Sequence, residues 1–251
     1  MDILARKVEQ SLMNKVIAII PARWESTRLP GKPLADINGK PMIQWVYDAV
    51  KKSKVDKVVV ATDNTAILEV VNSFGGEAVM TSFNHSTGTD RVLEAYNKYK
   101  QDYDYVINIQ GDEPTINEHD INTLIKTLLY DKSHIATLVG DLTSKQKTDR
   151  NTVKAVIDGE RIMMFTRSPL FELPRDNTCV RHIGIYGFCR AMTEHICVMG
   201  PTSNELAENL EQIRWGDNGI RFSYGAAIGS YKGVDTLQDL DHIRTFLKQE
   251  K

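Results

Sequence analysis

Three cations and two acids are spaced along this chain in a way that suits a polyphosphate. The run "IIPARWESTRLPGKPL", residues 19–34, carries Arg23, Arg28 and Lys32 in a loop punctuated by Pro21, Pro30, Gly31 and Pro33. Arginine offers a planar fork of donors and lysine a compact charge. Peptide N–H groups around Gly31 can approach a phosphate closely, because glycine has no side chain. Such a loop suits a polyanion such as a triphosphate; its other reading is three solvated cations. It is not a Walker A loop, because G-x-x-x-x-G-K-[ST] is absent and Pro33 stands where the metal-binding hydroxyl would be. The run "INIQGDEP" places Asp112 just past an apolar stretch, and "YKGVDTLQDLD" places Asp235 before an amphipathic one. A carboxylate at either place can serve Mg²⁺, which prefers oxygen ligands and keeps several waters and substrate phosphates. Each acid also has a local reading. Asp112 can cap the Asp-Glu-Pro turn, and Asp235 or Thr236 can cap the helix that follows.

The elements that must position these residues alternate. "KVIAII" (residues 15–20) reads as a buried strand, followed by a loop and then by "PMIQWVYDAVKKS" with Pro41 at a helix start. "KVVVATD" is a strand. "NTAILEVVNSFGG" is a helix with Asn64 as its cap and Gly75-Gly76 as its stop. "EAVMT", "TDRVLEAYNKYK", "DYVINIQGDEP" and "NEHDINTLIKTLLYD" continue the pattern as strand, helix, strand and helix. This order predicts an α/β fold with a mainly parallel central sheet and helices on both faces. Ligands of such sheets bind beyond the carboxyl ends of the strands. Arg23, Asp63 and Asp112 all follow such ends, though Asp63 has no evident role.

The second half is less regular. "HIATLVG", "TVKAVID", "RIMMFTRS", "RHIGIYGFCR" and "IRFSYGAAI" read as strands, some of them antiparallel. "SNELAENLEQIRWG" reads as one helix and "TLQDLDHIRTFLKQ" as a closing helix. The expected organisation is an extension over residues 1–14 and a single domain over 15–251 with a smaller β-rich lobe in its second half.

Bulk properties exclude several classes. The 251 residues are 41% hydrophobic and 25% charged, as in a globular protein that builds its core without disulfides. A formal net charge of −2 disfavours a general nucleic-acid binder. Cys179, Cys189 and Cys197 lack C-x-x-C spacing and read as reduced thiols. No apolar run approaches the roughly 20 residues of a membrane span. The first residues make a poor signal peptide. A cytoplasmic location is expected.

Taken in order, "PAR-x-x-S-T-R-L-P-G-K-P-L", "INGKPMI", "VVVATD", "STGTDR", "QGDEP", "RHIGIYGF", "LEQIR" and "GVDT" resemble the CMP-Kdo synthetases, the 3-deoxy-manno-octulosonate cytidylyltransferases. The similarity runs from about residue 15 almost to the C-terminus. It implies a Rossmann-like nucleotidyltransferase fold and transfer of CMP from CTP to the anomeric hydroxyl of a 3-deoxy-2-ulosonic acid, with release of pyrophosphate. It further implies a Mg²⁺ cofactor, a homodimer and a place in lipopolysaccharide or capsule synthesis.

The resemblance also assigns roles. Asp112 and Asp235 become the Mg²⁺ ligands and, with Lys32 and Arg28, the catalytic set. The CTP contacts become Pro21, Ala22, Arg23, Arg28, Lys32, Thr87, Gly88, Thr89, Arg91 and Gln110. The sugar-acid contacts become Arg167, His182, Tyr186, Glu211 and Gln212. Each of these five has a plainer reading as a surface pair, a core residue or a helix-face acid. One segment departs from the family pattern. Where an Ile-Pro-aromatic run is usual, this chain has "SPLFELPRD". That leaves the acid open between Kdo and a modified Kdo such as 8-amino-Kdo. A sialic-acid cytidylyltransferase, another sugar nucleotidyltransferase and a non-catalytic nucleotide-binding regulator are the competing readings.

Overall fold

The first strand, β1 (Val16–Ala22), is built from β-branched and small apolar residues and is buried along almost its whole length. The computed structural model describes residues 14–26, 28–130, 135–170, 178–229, 231 and 233–249. The expected N-terminal extension, apart from Asn14, and most of "SPLFELPRD" lie outside these residues. A short hairpin follows, β2 (Asp36–Ile37) with β3 (Lys40–Pro41). Helix α1 (Met42–Lys52) buries Met42, Ile43, Val46, Tyr47 and Val50, one apolar face at helical spacing. Strand β4 (Lys57–Thr62) leads into helix α2 (Thr65–Ser73), where the Asn64 side chain accepts the Ala66 N–H as expected. Strand β5 (Ala78–Met80), helix α3 (Gly88–Tyr96), strand β6 (Tyr105–Asn108) and helix α4 (Glu118–Tyr130) complete the series.

Residues up to Ile121, joined by those from Tyr231 onward, form one compact unit; residues 122–230 form a second. In the first unit the strands run parallel in the order β6-β1-β4-β5. Their register matters for the site. Ala22 stands opposite Thr62, and Ile19 opposite Asn108. Strands β1 and β4 therefore end level, β6 ends three residues earlier, and the segment after Asn108 runs on to the rim where Asp112 stands. The closing helix, Leu237–Gln249, buries Leu240, Ile243 and Leu247 in a cluster with Leu29, Ile37, Met42 and Val234. This packing ties the end of the chain to the loop after β1.

The second unit contains strand β7 (Ile135–Gly140), helix α5 (Ser144–Thr148), strands β8 (Lys154–Asp158), β9 (Arg161–Thr166) and β10 (Thr178–Cys189), helices α6 (Arg190–Cys197), α7 (Ser203–Glu208) and α8 (Glu211–Asp217), and strand β11 (Phe222–Ala226). Strand β10 pairs antiparallel with β7 and β8, and β8 antiparallel with β9; β11 runs parallel to β7.

One expectation needs correction here. Residues 203–216 are not a single helix. Asn209 adopts a left-handed conformation, φ 53°, which ends α7 and lets α8 begin at Glu211. Asparagine tolerates that conformation better than most residues. The buried Arg214–Glu205 ion pair, at 2.6 Å, then holds the two short helices together.

Candidate active site

Behind the end of β1, the opening loop is shaped by its own backbone. Gly31 has φ 66° and precedes a 3-10 turn, Lys32–Leu34, that starts Lys32 in a fixed direction. The Lys32 ammonium lies 2.5 Å from Asp112 Oδ2 and 3.2 Å from Asp235 Oδ1. Arg28 Nη2 lies 3.1 Å from the other oxygen of Asp235. The backbone explains how these acids meet, since the Val234 N–H donates to the Asp112 carbonyl at 2.9 Å. Gly111 permits the turn that carries Asp112, for a Cβ there would stand 2.7 Å from the Pro21 carbonyl oxygen.

The helix-cap alternative for Asp235 is resolved by its neighbours. Thr236 Oγ1 accepts the Asp239 N–H, and the Asp239 carboxylate accepts the Thr236 N–H. Thr236 is therefore the cap, and the Asp235 side chain faces the cations.

A cleft of about 260 Å³ opens over this rim. Pro21, Ala22, Arg23, Arg28, Lys32, Thr87, Gly88, Arg91, Gln110, Asp112 and Asp235 line it, so nearly all of the nucleotide residues named from the sequence meet in one place. Thr89 does not. It is buried beneath the wall, where its hydroxyl accepts from Asn108 Nδ2. Thr87 is the N-cap of α3, accepting the Asp90 N–H. Arg91 touches the cleft but is only 3% exposed, and its guanidinium is committed to Asp63, Thr81 and the Ser82 carbonyl.

Asp63 thereby acquires a role that sequence reading left unassigned. It pairs with Arg91 at 2.8 Å and accepts the Trp24 N–H at 3.0 Å, fixing the opening loop against α3. Its strand-end position on the same rim as Arg23 was the available signal. Ser26, His85 and Ser86 also line the cleft and were not singled out. His85 is held by Glu94. Burial pushes the Glu94 carboxyl up, but the His85 ring, the Ser82 N–H and the charge of Lys98 together hold it below the usual carboxylate range.

The five sugar-acid residues all belong to the second unit. His182 and Tyr186 lie on β10, on either side of a register shift between Ile183 and Tyr186. Thr137 fills that irregularity, donating to the Ile183 and Ile185 carbonyls and meeting His182 Nε2 at 3.0 Å. The His182 ring packs 4.7 Å from Phe165 and 5.6 Å from Tyr186. Burial, reinforced by the Arg167 charge, depresses the His182 pKa from 6.5 to about 3, so the ring is neutral at neutral pH. Burial and the charge of Glu211 push the Tyr186 hydroxyl up. Gln212 is buried and is the one member of the five that lines a second cavity, of about 450 Å³, with Phe165, Glu208 and Phe222.

The donor chemistry at the rim fits Mg²⁺. The carboxylates of Asp112 and Asp235 converge on the Lys32 ammonium and offer hard oxygen donors. That is the pattern for an ion that takes its other ligands from water and substrate oxygens.

A cytidylyltransferase family profile matches residues 17–226. The 3-deoxy-manno-octulosonate cytidylyltransferase of Parabacteroides distasonis is 43% identical over 250 residues, covering 94% of this chain and 99% of its own length. That of Escherichia coli is 38% identical, covering 95% and 98%. This chain belongs to the 3-deoxy-manno-octulosonate cytidylyltransferase family. A solved CMP:2-keto-3-deoxy-manno-octonic acid synthetase complexed with CTP superposes with a TM-score of 0.88 at 36% identity, over 95% of this chain and all of the other. A glucose-1-phosphate thymidylyltransferase from Bacillus anthracis, at 15% identity and TM-score 0.68, shares the fold. Membership of the cytidylyltransferase family and the mainly parallel α/β architecture agree with the reading from the sequence motifs.

Proposed function

We propose that this chain transfers CMP from CTP to the anomeric hydroxyl of Kdo and releases pyrophosphate. The observation that carries the reading is the meeting of Arg28, Lys32, Asp112 and Asp235 in one cleft, on a chain 36% identical to a CTP-complexed synthetase of the same family. In the reaction the sugar oxygen attacks the α-phosphorus, the bond from that phosphorus to the pyrophosphate oxygen breaks, and the hydroxyl proton passes to solvent.

The protein's task is positioning and charge. Arg23, Arg28 and Lys32 meet the triphosphate at the strand ends and neutralise the leaving pyrophosphate. To do so Arg28 and Lys32 exchange their carboxylate partners for phosphate oxygens. Asp112 and Asp235 would then hold Mg²⁺, which supplies further charge neutralisation and polarises the oxygens bound to it. Gly88 and Gln110 shape the nucleotide wall. Arg167 offers its guanidinium fork to the sugar carboxylate, while the neutral His182 and Tyr186 offer hydrogen bonds without charge. Glu211 and Gln212, at the start of α8, complete the sugar contacts.

The same reading places the reaction in the cytoplasm, where CTP is available, and in lipopolysaccharide or capsule synthesis. It includes a homodimer. Met163 and Met164 are exposed on β9, where an apolar surface suits a second subunit.

Pyrophosphate release with CTP tests the activity against Kdo, 8-amino-Kdo and sialic acid. Turnover with Kdo or 8-amino-Kdo, and not with sialic acid, is expected. Turnover with sialic acid alone, or with none of the three, overturns the assignment.

A further inference from the structure

Arg167 is the first residue beyond the β8–β9 ladder, whose last rung pairs Lys154 with Thr166. Strand hydrogen bonds therefore do not fix its peptide groups. Two charged side chains do so instead. The Arg167 N–H donates to Glu208 Oε2 at 2.7 Å. The Arg167 carbonyl accepts from the Lys154 ammonium at 2.9 Å. The same ammonium donates to the Asp149 carbonyl at 2.8 Å, and the same carboxylate accepts from the hydroxyls of Thr166 and Ser168 at 2.7 and 3.1 Å. Both polar groups of one residue are gripped by side chains of opposite charge, from β8 and from the end of α7.

The cost of this arrangement points to its purpose. Lys154 is completely buried, and burial lowers its proton affinity despite the surrounding acids. An apolar side chain of similar volume would fill the space without the desolvation of an ammonium. An ammonium persists there to bind two carbonyls that an apolar side chain would leave without this donor. One of those carbonyls is that of Arg167 itself, and the other, of Asp149, directly precedes the two that the Arg167 guanidinium reaches. Its Nη1 is 3.4 Å from the Arg150 carbonyl and 3.3 Å from that of Asn151. One buried cation thus sets both the origin of the Arg167 side chain and the loop along which it runs.

We infer that Lys154 and Glu208 are positioning residues for Arg167, fixing where its guanidinium meets the carboxylate of the sugar acid. This rests on the reading of Arg167 as a sugar contact. Neither residue is assigned to touch substrate, so each acts through Arg167 and should affect the sugar alone.

The test is a double-mutant cycle with CTP and Kdo as the varied substrates. Lys154→Met keeps the volume and removes the ammonium. Glu208→Gln keeps the shape and removes the charge. Arg167→Lys removes the fork. Each single variant should raise the Kdo KM about tenfold or more and leave the CTP KM within about twofold, because small displacements of a positioned group cost this much. With lysine already at position 167, adding Lys154→Met or Glu208→Gln should raise the Kdo KM by less than about twofold, since the fork they position is gone. If Arg167→Lys raises the Kdo KM while Lys154→Met and Glu208→Gln do not, the clamp is wrong and the role of Arg167 stands. If Arg167→Lys itself leaves the Kdo KM unchanged, the sugar assignment falls and the clamp with it. Equal rises in both KM values, or fully additive effects in the double variants, mark a structural role only and overturn the inference. Should Lys154→Met fail to fold, Glu208→Gln carries the same cycle.

Discussion

The Lys32 ammonium lies 2.5 Å from a carboxylate oxygen of Asp112, although 80 residues separate the two in sequence. A cation already stands where a metal and phosphates are proposed to act. Asp112→Asn and Asp235→Asn should each lower kcat at least about 100-fold, the scale of losing an electrostatic stabiliser in an active site. Both side chains face the cleft, so thermal unfolding should change little. Near-normal activity of Asp235→Asn at limiting Mg²⁺ would show that this carboxylate serves the cations only.

Arg28 is exposed and its partner is Asp235. Arg28→Lys keeps the charge and loses the fork, so it should weaken CTP binding by about 1.5–3 kcal/mol, the range for hydrogen bonds to charged groups. The Kdo KM should stay close to that of the unmodified chain. A change confined to the Kdo KM would place Arg28 at the wrong end of the site.

The Arg91–Asp63 pair is buried at one end and nearly so at the other. Asp63→Asn leaves a guanidinium in the wall without its counter-charge. Breaking such a pair costs about 3–5 kcal/mol, and equilibrium denaturation in urea should show a loss on that scale. A loss below about 1 kcal/mol would mean that Thr81 and Ser82 suffice to hold Arg91.

His182 links stability to pH. Its pKa falls from 6.5 in the unfolded chain to about 3 in the folded one. Below pH 6.5 the unfolded chain takes up a proton that the folded chain refuses. Stability should therefore fall as the pH drops from 6.5 toward 3, by up to about 1.4 kcal/mol per pH unit from this group. His182→Gln should flatten the slope between pH 6.5 and 5, where carboxylates contribute little. An unchanged slope would show that the ring titrates normally.

Gly111→Ala tests the close approach beneath the site. Its new Cβ would meet the Pro21 carbonyl oxygen at 2.7 Å, a backbone atom that cannot swing aside. The CTP KM should rise because the turns carrying Arg23 and Asp112 are pushed apart. An alanine variant with normal CTP affinity would show that the rim yields without cost.

Much of the cleft at the strand ends was legible because its signals are local. A β-branched run marks a buried strand, and a polar turn after it marks the rim. Arg23, Gln110 and Asp112 could be placed by counting from strand ends. The choice between Asp235 and Thr236 as helix cap could not be made so, because both are good caps and the answer depends on where the chain turns. The break at Asn209 was hidden for a related reason. The apolar pattern runs through it, and only the left-handed backbone shows that α8 starts afresh at Glu211.

By itself the sequence determined the alternating elements, the cations after β1 and the turn acids Asp112 and Asp235, since helix period, strand composition and turn residues act over a few neighbours. Tertiary structure alone decided which of these charges meet. Lys32 reaches Asp235 across 203 residues because Val234 bonds to Asp112 and the closing helix packs on Leu29 and Met42. The family resemblance assigns Arg91 to the nucleotide, and only the folded chain shows its guanidinium bound to Asp63. Lys154 and Glu208 carry no motif at all, and their grip on Arg167 spans 13 and 41 residues. Contacts of that reach are set by strand register and side-chain packing, which no short window of sequence contains.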